Sequence, residues 1–491
     1  MSEADQVKGP AGQGAEVETV AVEAVNKAGK RALYASRQKI YPRRVHGIFR
    51  RLKWLIMAVT LGIYYGAPWL RWDRGIGAPD QAILIDFPGR RFYFFFIEIW
   101  PDEVYYLTGL LILAAMALFL VTSIAGRVWC GYVCPQTVWV DLFLVVERAL
   151  EGDRNARMRL DAGRWSLAKI TRKVAKHAIW LAIAVATGGA WVFYFADAPT
   201  LAVQLVTLEA PASSYVFMAL FTFTTYMLGA IAREQVCIYM CPWPRIQGAL
   251  QDESTLAVSY HSLRGEARGP HKKGESWDDR GDCIDCNQCV VVCPMGIDIR
   301  DGQQMECISC ALCIDACNAV MDKVERPRGL IGYDTVAGVA QGTARPRLIR
   351  PRTIVYALAI LLVGGIMLYT LLNRATLDVA IQRDRNPLYV MLSDGSIRNG
   401  YTLKIMNKHP EVRRYRLSLE GVPGAVISIV GPTGAGAVPV LSAPRDRIGA
   451  YRLYVTWSGG GATTTPLRFA LTDVDSGEVA RYQSSFRRSQ R

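Results

Sequence analysis

Eight of the twelve cysteines in this 491-residue chain stand in one block, between Cys283 and Cys317. From Cys283 the sequence reads CIDCNQCVVVCP, a C-x2-C-x2-C-x3-C-P run, and from Cys307 it reads CISCALCIDAC, which repeats the spacing. A double run of this kind is the ferredoxin pattern for two [4Fe–4S] clusters. Three closely spaced thiolates wrap three corners of a cubane, and the fourth is carried off by the following turn to serve the neighbouring cluster. The crossed rule predicts one cluster on Cys283, Cys286, Cys289 and Cys317, and a second on Cys307, Cys310, Cys313 and Cys293. The alternative, a zinc ribbon, uses two separated CxxC knuckles. Asn318 follows Cys317 where many ferredoxins carry Pro, which removes no ligand. Two clusters in one small fold form a relay for single electrons and fit a reducing compartment.

The rest of the chain is too apolar for an ordinary soluble protein, at 51% hydrophobic residues, yet 20% of it is charged. Several architectures must share it. Five segments have the apolarity of a spanning helix, which needs about 20 residues: Trp54–Leu70, Val104–Ala125, Ala178–Ala196, Tyr215–Ala232 and Ile354–Leu372. Basic residues crowd before the first span, from Lys27 to Lys53, and between the second and third, from Arg127 to Lys176, whereas Asp197–Ser214 has neither Lys nor Arg. This asymmetry predicts an N-terminus inside and a C-terminus outside. The net charge of +14 is thereby explained by topology and calls for no nucleic acid.

The expected order is a disordered basic cytoplasmic tail (1–50), a membrane domain with four spans (51–232), a cytoplasmic segment with the cluster domain (233–350), a fifth span (351–373) and a C-terminal domain (374–491). The first thirty residues are small, polar and poor in aromatics, which predicts disorder. Beyond residue 374, β-like runs such as YTLKIM, RYRLSL, AVISIV and YRLYVTW alternate with turn residues, the spacing of an antiparallel sandwich. That domain has no cysteine.

The remaining four cysteines form two CxxxCP pairs, Cys130 with Cys134 and Cys237 with Cys241, each following an apolar run that ends in an arginine, Arg127 or Arg233. Pro135 and Pro242 disfavour α geometry at the cysteine before them, so the helix should break there and restart after the proline. Spacing of i,i+4 puts both thiols of a pair on one helix face, and the break turns the second towards a shared site. Inert buried cysteines and a disulfide are the alternatives to a soft-metal site, and paired thiolates favour Cu(I) over hard ions. The repeated arrangement suggests a duplicated membrane unit. Five scattered histidines, His46, His177, His261, His271 and His409, give no support for a bis-histidine haem, and neither a Walker loop nor a dinucleotide fingerprint stands out.

Taken together, the chain resembles the CcoG/FixG/RdxA family of accessory proteins for cbb-type cytochrome c oxidase. The resemblance runs through YYGAPWLRWDR (Tyr64–Arg74), DFPGRRFYFFFIEIWP (Asp86–Pro101), GRVWCGYVCPQTVW (Gly126–Trp139), the CPWPR stretch, both ferredoxin runs and RPRGLIGYDT (Arg326–Thr335). The ferredoxin runs alone also fit NapH-like quinol-dehydrogenase polyferredoxins, and a non-enzymatic assembly scaffold, whose clusters sense redox state and whose sandwich docks an oxidase subunit, is the third reading. The family implies a multi-pass protein of the bacterial inner membrane, with cytoplasmic clusters and a periplasmic immunoglobulin-like domain. It implies a cupric reductase that makes Cu(I) for the oxidase, with Cys130, Cys134, Cys237 and Cys241 handling the copper. Copper ions, an upstream electron donor, oxidase assembly factors or copper chaperones, and membrane lipid are the implied partners, with a homodimer left open. An acidic residue is expected after the last cluster cysteine, where this chain has Asn318.

Overall fold

The computed structural model describes residues 17–26, 38–75, 78–272, 274–342, 348–374, 377–408, 411–430, 440–444, 447–460 and 462–488. It divides into two units, one comprising Met1–Trp72 and Asp80–Met367, the other Asp73–Pro79 and Leu368–Arg491.

Among the described residues, five helices are long and apolar enough to cross a membrane: Pro101–Ala125, Val128–Glu151, Leu167–Val192, Ala212–Ala232 and Pro351–Leu372. Four of these coincide with expected spans. The fifth differs. The segment expected to begin at Trp54 is a helix, Ile48–Gly66, but it starts earlier and draws Arg50, Arg51 and Lys53 into its first turns, leaving a short apolar stretch. By length and apolarity Val128–Glu151 also qualifies, interrupted at Cys134. Both its ends, however, meet cluster-side elements, Gly131 against Ile308 and Arg148 on Pro42 O. Ile48–Gly66 instead runs from Asp315 at its start to Thr187 and Tyr194 at its end, the path of the expected first span. The three acids of Val128–Glu151, Asp141, Glu147 and Glu151, obscured it in the sequence, and all three are buried. Arg50 lies 2.8 Å from Asp141, Arg157 and Arg233 lie 3.1 and 3.0 Å from Glu147, and Lys176 lies 2.8 Å from Glu151. Each charge has a partner, the condition under which buried carboxylates are tolerated.

The cluster domain is tied to the first helix by a side chain from the second cysteine run. Asp315 accepts hydrogen bonds from the Phe49 and Arg50 amides at 3.3 and 2.8 Å, capping the helix N-terminus. Gly47 is required there, since a Cβ would stand 2.1 Å from the Asp315 carboxyl carbon. A two-stranded sheet, Ala257–Tyr260 against Ile331–Asp334, closes the domain. Its core joins Val258, Ile284, Val290, Ile314, Met321 and Leu330.

The tail read as disordered is corrected in part. Residues 1–16 and 27–37, including Lys27, Lys30, Arg31 and Arg37, lie outside the described residues. Residues 17–26 run along the cluster domain. The Val20 amide donates to Cys286 O at 3.2 Å, Asn287 Nδ2 donates to Val20 O at 2.9 Å, and Asn26 Nδ2 donates to Met295 O at 2.6 Å. Val17, Val22 and Ala24 pack on its core. Composition could not reveal this strap, because backbone bonds and three small apolar contacts hold it.

The second unit is a sandwich of two antiparallel sheets. One orders Val426–Ile429, Arg447–Trp457, Ile397–Asn407 and Leu377–Arg383, with Val390–Met391 also paired to Ile397–Asn407. The other orders Val440–Ala443, Arg413–Glu420, Thr464–Asp473 and Val479–Arg487. Alternate residues Tyr401, Leu403 and Ile405 meet Tyr415, Leu417, Phe469 and Phe486 between the sheets. Burying each contributes about 1.5–3 kcal/mol, and the period of two explains why these strands were legible. His409 lies outside the described residues.

Candidate metal centre

Both cysteine runs bend at the same points. Asp285 and Asn287 in the first have φ of 52° and 58°, and Ser309 and Ala311 in the second have 53° and 60°. Left-handed residues at matching positions can turn successive amides inward, a nest suited to an anionic group. The runs line two recesses, whose volumes are counted out to their mouths. One, of about 350 Å³, is walled by Cys283, Cys286, Cys289 and Cys317 together with Tyr260, Asn287, Gln288 and Arg300. The other, of about 370 Å³, is walled by Cys293, Cys307, Cys310 and Cys313, with Cys289 also on the wall and aliphatic groups such as Ile297, Ile299, Ile308 and Leu312 between them.

These donors fit iron–sulfur clusters. Thiolates are ligands for soft centres rather than hard ions. Burial pushes the Cys293 and Cys317 thiols up to about 12 and Cys307 to about 11, so these sulfurs ionise only beside compensating positive charge, which iron supplies. Among the described residues, no three His, Cys, Asp or Glu side chains converge on a single ion. Sulfurs holding the corners of a cubane stand farther apart than ligands of one ion.

The CxxxCP pairs break where proline requires. Cys130 lies in the short helix Val128–Tyr132, Cys134 is extended with ψ of 127°, and Pro135 opens Pro135–Glu151. Cys237 lies in a π-helical turn, Val236–Met240, Cys241 is extended with ψ of 123°, and Trp243–Leu250 follows. In both pairs the second cysteine's amide closes a wide turn, Cys134 onto Trp129 O at 2.9 Å and Cys241 onto Val236 O at 2.8 Å. Two stretches of different sequence thus share one local geometry.

The four thiols lie within electrostatic reach of one another, and no three of them converge on a single point. Burial pushes Cys237 up to about 12, and the Cys134, Cys130 and Cys241 sulfurs nearby act in the same sense, opposed by Arg127. Cys130 Sγ donates to Gln247 Oε1 at 3.1 Å, and Gln247 Nε2 donates to Thr122 Oγ1 at 3.2 Å. All twelve cysteines are free.

This thiol group abuts the second cavity. At Gly131 a Cβ would lie 2.6 Å from Ile308 O and 3.0 Å from Cys310 Cα, so glycine lets the helix touch the cysteine loop. Tyr132 donates to Cys310 O at 3.2 Å, Tyr333 donates to Ser309 O at 2.6 Å, and Arg127 donates to Met305 O. One apolar core contains Cys130, Ile308, Cys310 and Leu312, with Cys237, Cys293, Cys307 and Cys313 packed against it. Sequence reasoning missed Gln247, Gly131 and Tyr132. Gly131 carried a signal, a glycine between two cysteines of one helical turn; Gln247 carried none, because its partner is remote in sequence.

Comparison with known proteins bears on the same regions. A family model described as "4Fe-4S dicluster domain" matches residues 232–336, one described as "4Fe-4S binding domain" matches 107–151, and the "IG-like fold at C-terminal of FixG" matches 367–489. The "Nitrogen fixation protein FixG" of Rhizobium meliloti is 53% identical, over 94% of this chain and 95% of its own length. The chain belongs to the FixG/RdxA family. "Protein RdxA" of Cereibacter sphaeroides is 52% identical, over 92% of this chain and 98% of its own. The "Ferredoxin-type protein NapH" of Haemophilus influenzae is 25% identical over 42% of this chain and 65% of its own. As a FixG/RdxA member with matched 4Fe-4S domains, the chain is an iron–sulfur electron-transfer protein with an immunoglobulin-like C-terminal domain.

Proposed function

We propose that this protein is a membrane cupric reductase, which takes electrons from an upstream donor and reduces Cu(II) to Cu(I) for assembly of a cbb-type oxidase. The observation that carries the reading is the contact between the helix holding Cys130 and the loop holding Cys310, formed across Gly131 within one shared apolar core. Cys283, Cys286, Cys289 and Cys317 would hold one [4Fe–4S] cluster, and Cys293, Cys307, Cys310 and Cys313 the other. Bound clusters supply one-electron storage and transfer. Cys130, Cys134, Cys237 and Cys241 receive the copper; their thiolates favour Cu(I), so ligation and reduction reinforce each other. Each turnover takes one electron, which converts one Cu(II) to Cu(I). The Gln247 amide and the backbone bonds at Cys134 and Cys241 orient the sulfurs, and the surrounding apolar side chains limit access of water. The charge asymmetry of the connecting segments supports an inner-membrane protein with its clusters on the cytoplasmic side and its sandwich in the periplasm. Copper chaperones or oxidase assembly factors would then accept the product.

The test is anaerobic. Protein reduced chemically and freed of excess reductant is mixed with Cu(II), while cluster absorbance and chelated Cu(I) are followed together. Wild type should reoxidise as Cu(I) appears, and Cys130→Ser/Cys134→Ser should lose that coupling at unchanged iron content. Reoxidation by a quinone and not by copper would replace this reading with the quinol-dehydrogenase one.

A further inference from the structure

A second polar site lies beside the thiols and is used by none of the chemistry above. A cleft of about 500 Å³, counted out to its mouth, lies among the first helix, the helix Pro135–Glu151 and the turn after Cys293, and Cys237 stands on its wall. Four cations, Arg50, Lys53, Arg148 and Arg233, line it against two acids, Asp141 and Glu234.

The pairing within the cleft is incomplete. Arg50 is 3% exposed. Its Nη1 donates to Asp141 at 2.8 Å, but its Nε and Nη2 are buried with no acceptor. Arg148 Nη2 donates to Pro42 O at 3.2 Å, and its buried Nε has no acceptor. Lys53 stands 3.8 Å from Asp141, which Arg50 already holds, and Arg233 is paired outwards to Glu147 at 3.0 Å. Leaving a charged donor buried and unsatisfied is costly. Two guanidinium groups that line one cleft and hold three unpaired donor nitrogens between them are a receptor for a planar or tetrahedral oxyanion.

We propose that this cleft is an anion site that takes a phosphate-type group, coordinated by Arg50 and Arg148. A free phosphate and the headgroup of an anionic phospholipid offer the same chemistry. The occupant sits on the wall that Cys237 shares, so its binding shields that thiol. The proposal is independent of the copper reading and survives its failure.

The test uses the full, cluster-loaded chain, delipidated in neutral detergent, with native mass spectrometry as readout. Inorganic phosphate is titrated in one arm, and phosphatidylglycerol is compared with phosphatidylcholine in the other. The expected result is one saturable adduct per chain, weakened at least tenfold in Arg50→Gln and in Arg148→Gln and unchanged in the exposed control Arg51→Gln. An adduct with phosphate assigns a free anion; one with phosphatidylglycerol alone assigns a lipid headgroup. Cluster absorbance reports folding of each variant. Should either variant fail to fold, alkylation of Cys237 in wild type decides, since the occupant should slow it at least several-fold. Absence of any saturable adduct, adducts indifferent to both arginine changes, or unprotected Cys237 would overturn the proposal.

Discussion

The two cysteine cavities are built from one repeated backbone, yet their walls differ. The cavity of Cys283, Cys286, Cys289 and Cys317 carries Arg300, Asn287, Gln288 and Tyr260. Arg300 is held there by Asp285 at 2.5 Å, Asn287 at 2.6 Å and Asp298 at 2.7 Å. Between the sulfurs of the other cavity stand only aliphatic groups and Met295. An added electron is an added negative charge, which the polar groups of the first cavity accommodate better than an apolar wall does, with Asp285 and Asp298 offsetting part of the Arg300 charge. A cluster in the first cavity should therefore have the higher potential. The second cavity abuts the CxxxCP thiols, and its poorer hold on an electron suits it to give that electron away. Local repetition sets what each cavity can bind, and the remote residues lining it set how tightly it holds charge.

The strongest way to break this comparison is to remove one ligand from each cavity. Cys317→Ser should abolish the cluster of the first and spare the second, while Cys293→Ser should do the reverse, each roughly halving bound iron. Distinct electron paramagnetic resonance signals would identify the survivor. Under crossed ligation Cys317→Ser loses the same signal as Cys283→Ser; loss of the signal that Cys307→Ser removes would contradict it.

A smaller effect is expected from Gly131→Ala. The added methyl must displace the Ile308 carbonyl or the Cys310 backbone, at a cost of about 1–3 kcal/mol. Stopped-flow copper reduction should slow while both clusters remain, because only the link from the second cavity to the thiols is stretched. Unchanged rates would show that this contact does not carry the electron.

The smallest change sharpens the comparison. Arg300→Gln should lower the potential of the first cluster by something on the order of 50 mV and leave the second unmoved, where about 59 mV corresponds to a tenfold change for one electron. A redox titration checks it. Equal shifts in both clusters would mean that the arginine acts through the whole domain.

Much of this arrangement was legible because it is local. Ligand spacing announces the cysteine loops, proline announces the breaks at Cys134 and Cys241, and alternation announces strands such as Ile397–Asn407. What was hidden depends on partners far along the chain. Asp141, Glu147 and Glu151 argue against an apolar helix until Arg50, Arg157, Lys176 and Arg233 arrive to neutralise them. Residues 17–26 read as a free tail because neither backbone bonds to Cys286 and Gly296 nor the side-chain bond from Asn26 leaves any mark on composition. Asp315 stands between two cluster ligands in the sequence, and only the fold brings it to the start of the first helix.

The most direct measurement is X-ray absorption at the copper edge, on cluster-loaded protein carrying one equivalent of Cu(I). The account predicts a first shell of sulfur near the copper, with sulfur lost stepwise in Cys130→Ser and Cys237→Ser. A shell of nitrogen and oxygen alone, or a sulfur shell indifferent to both substitutions, would contradict it.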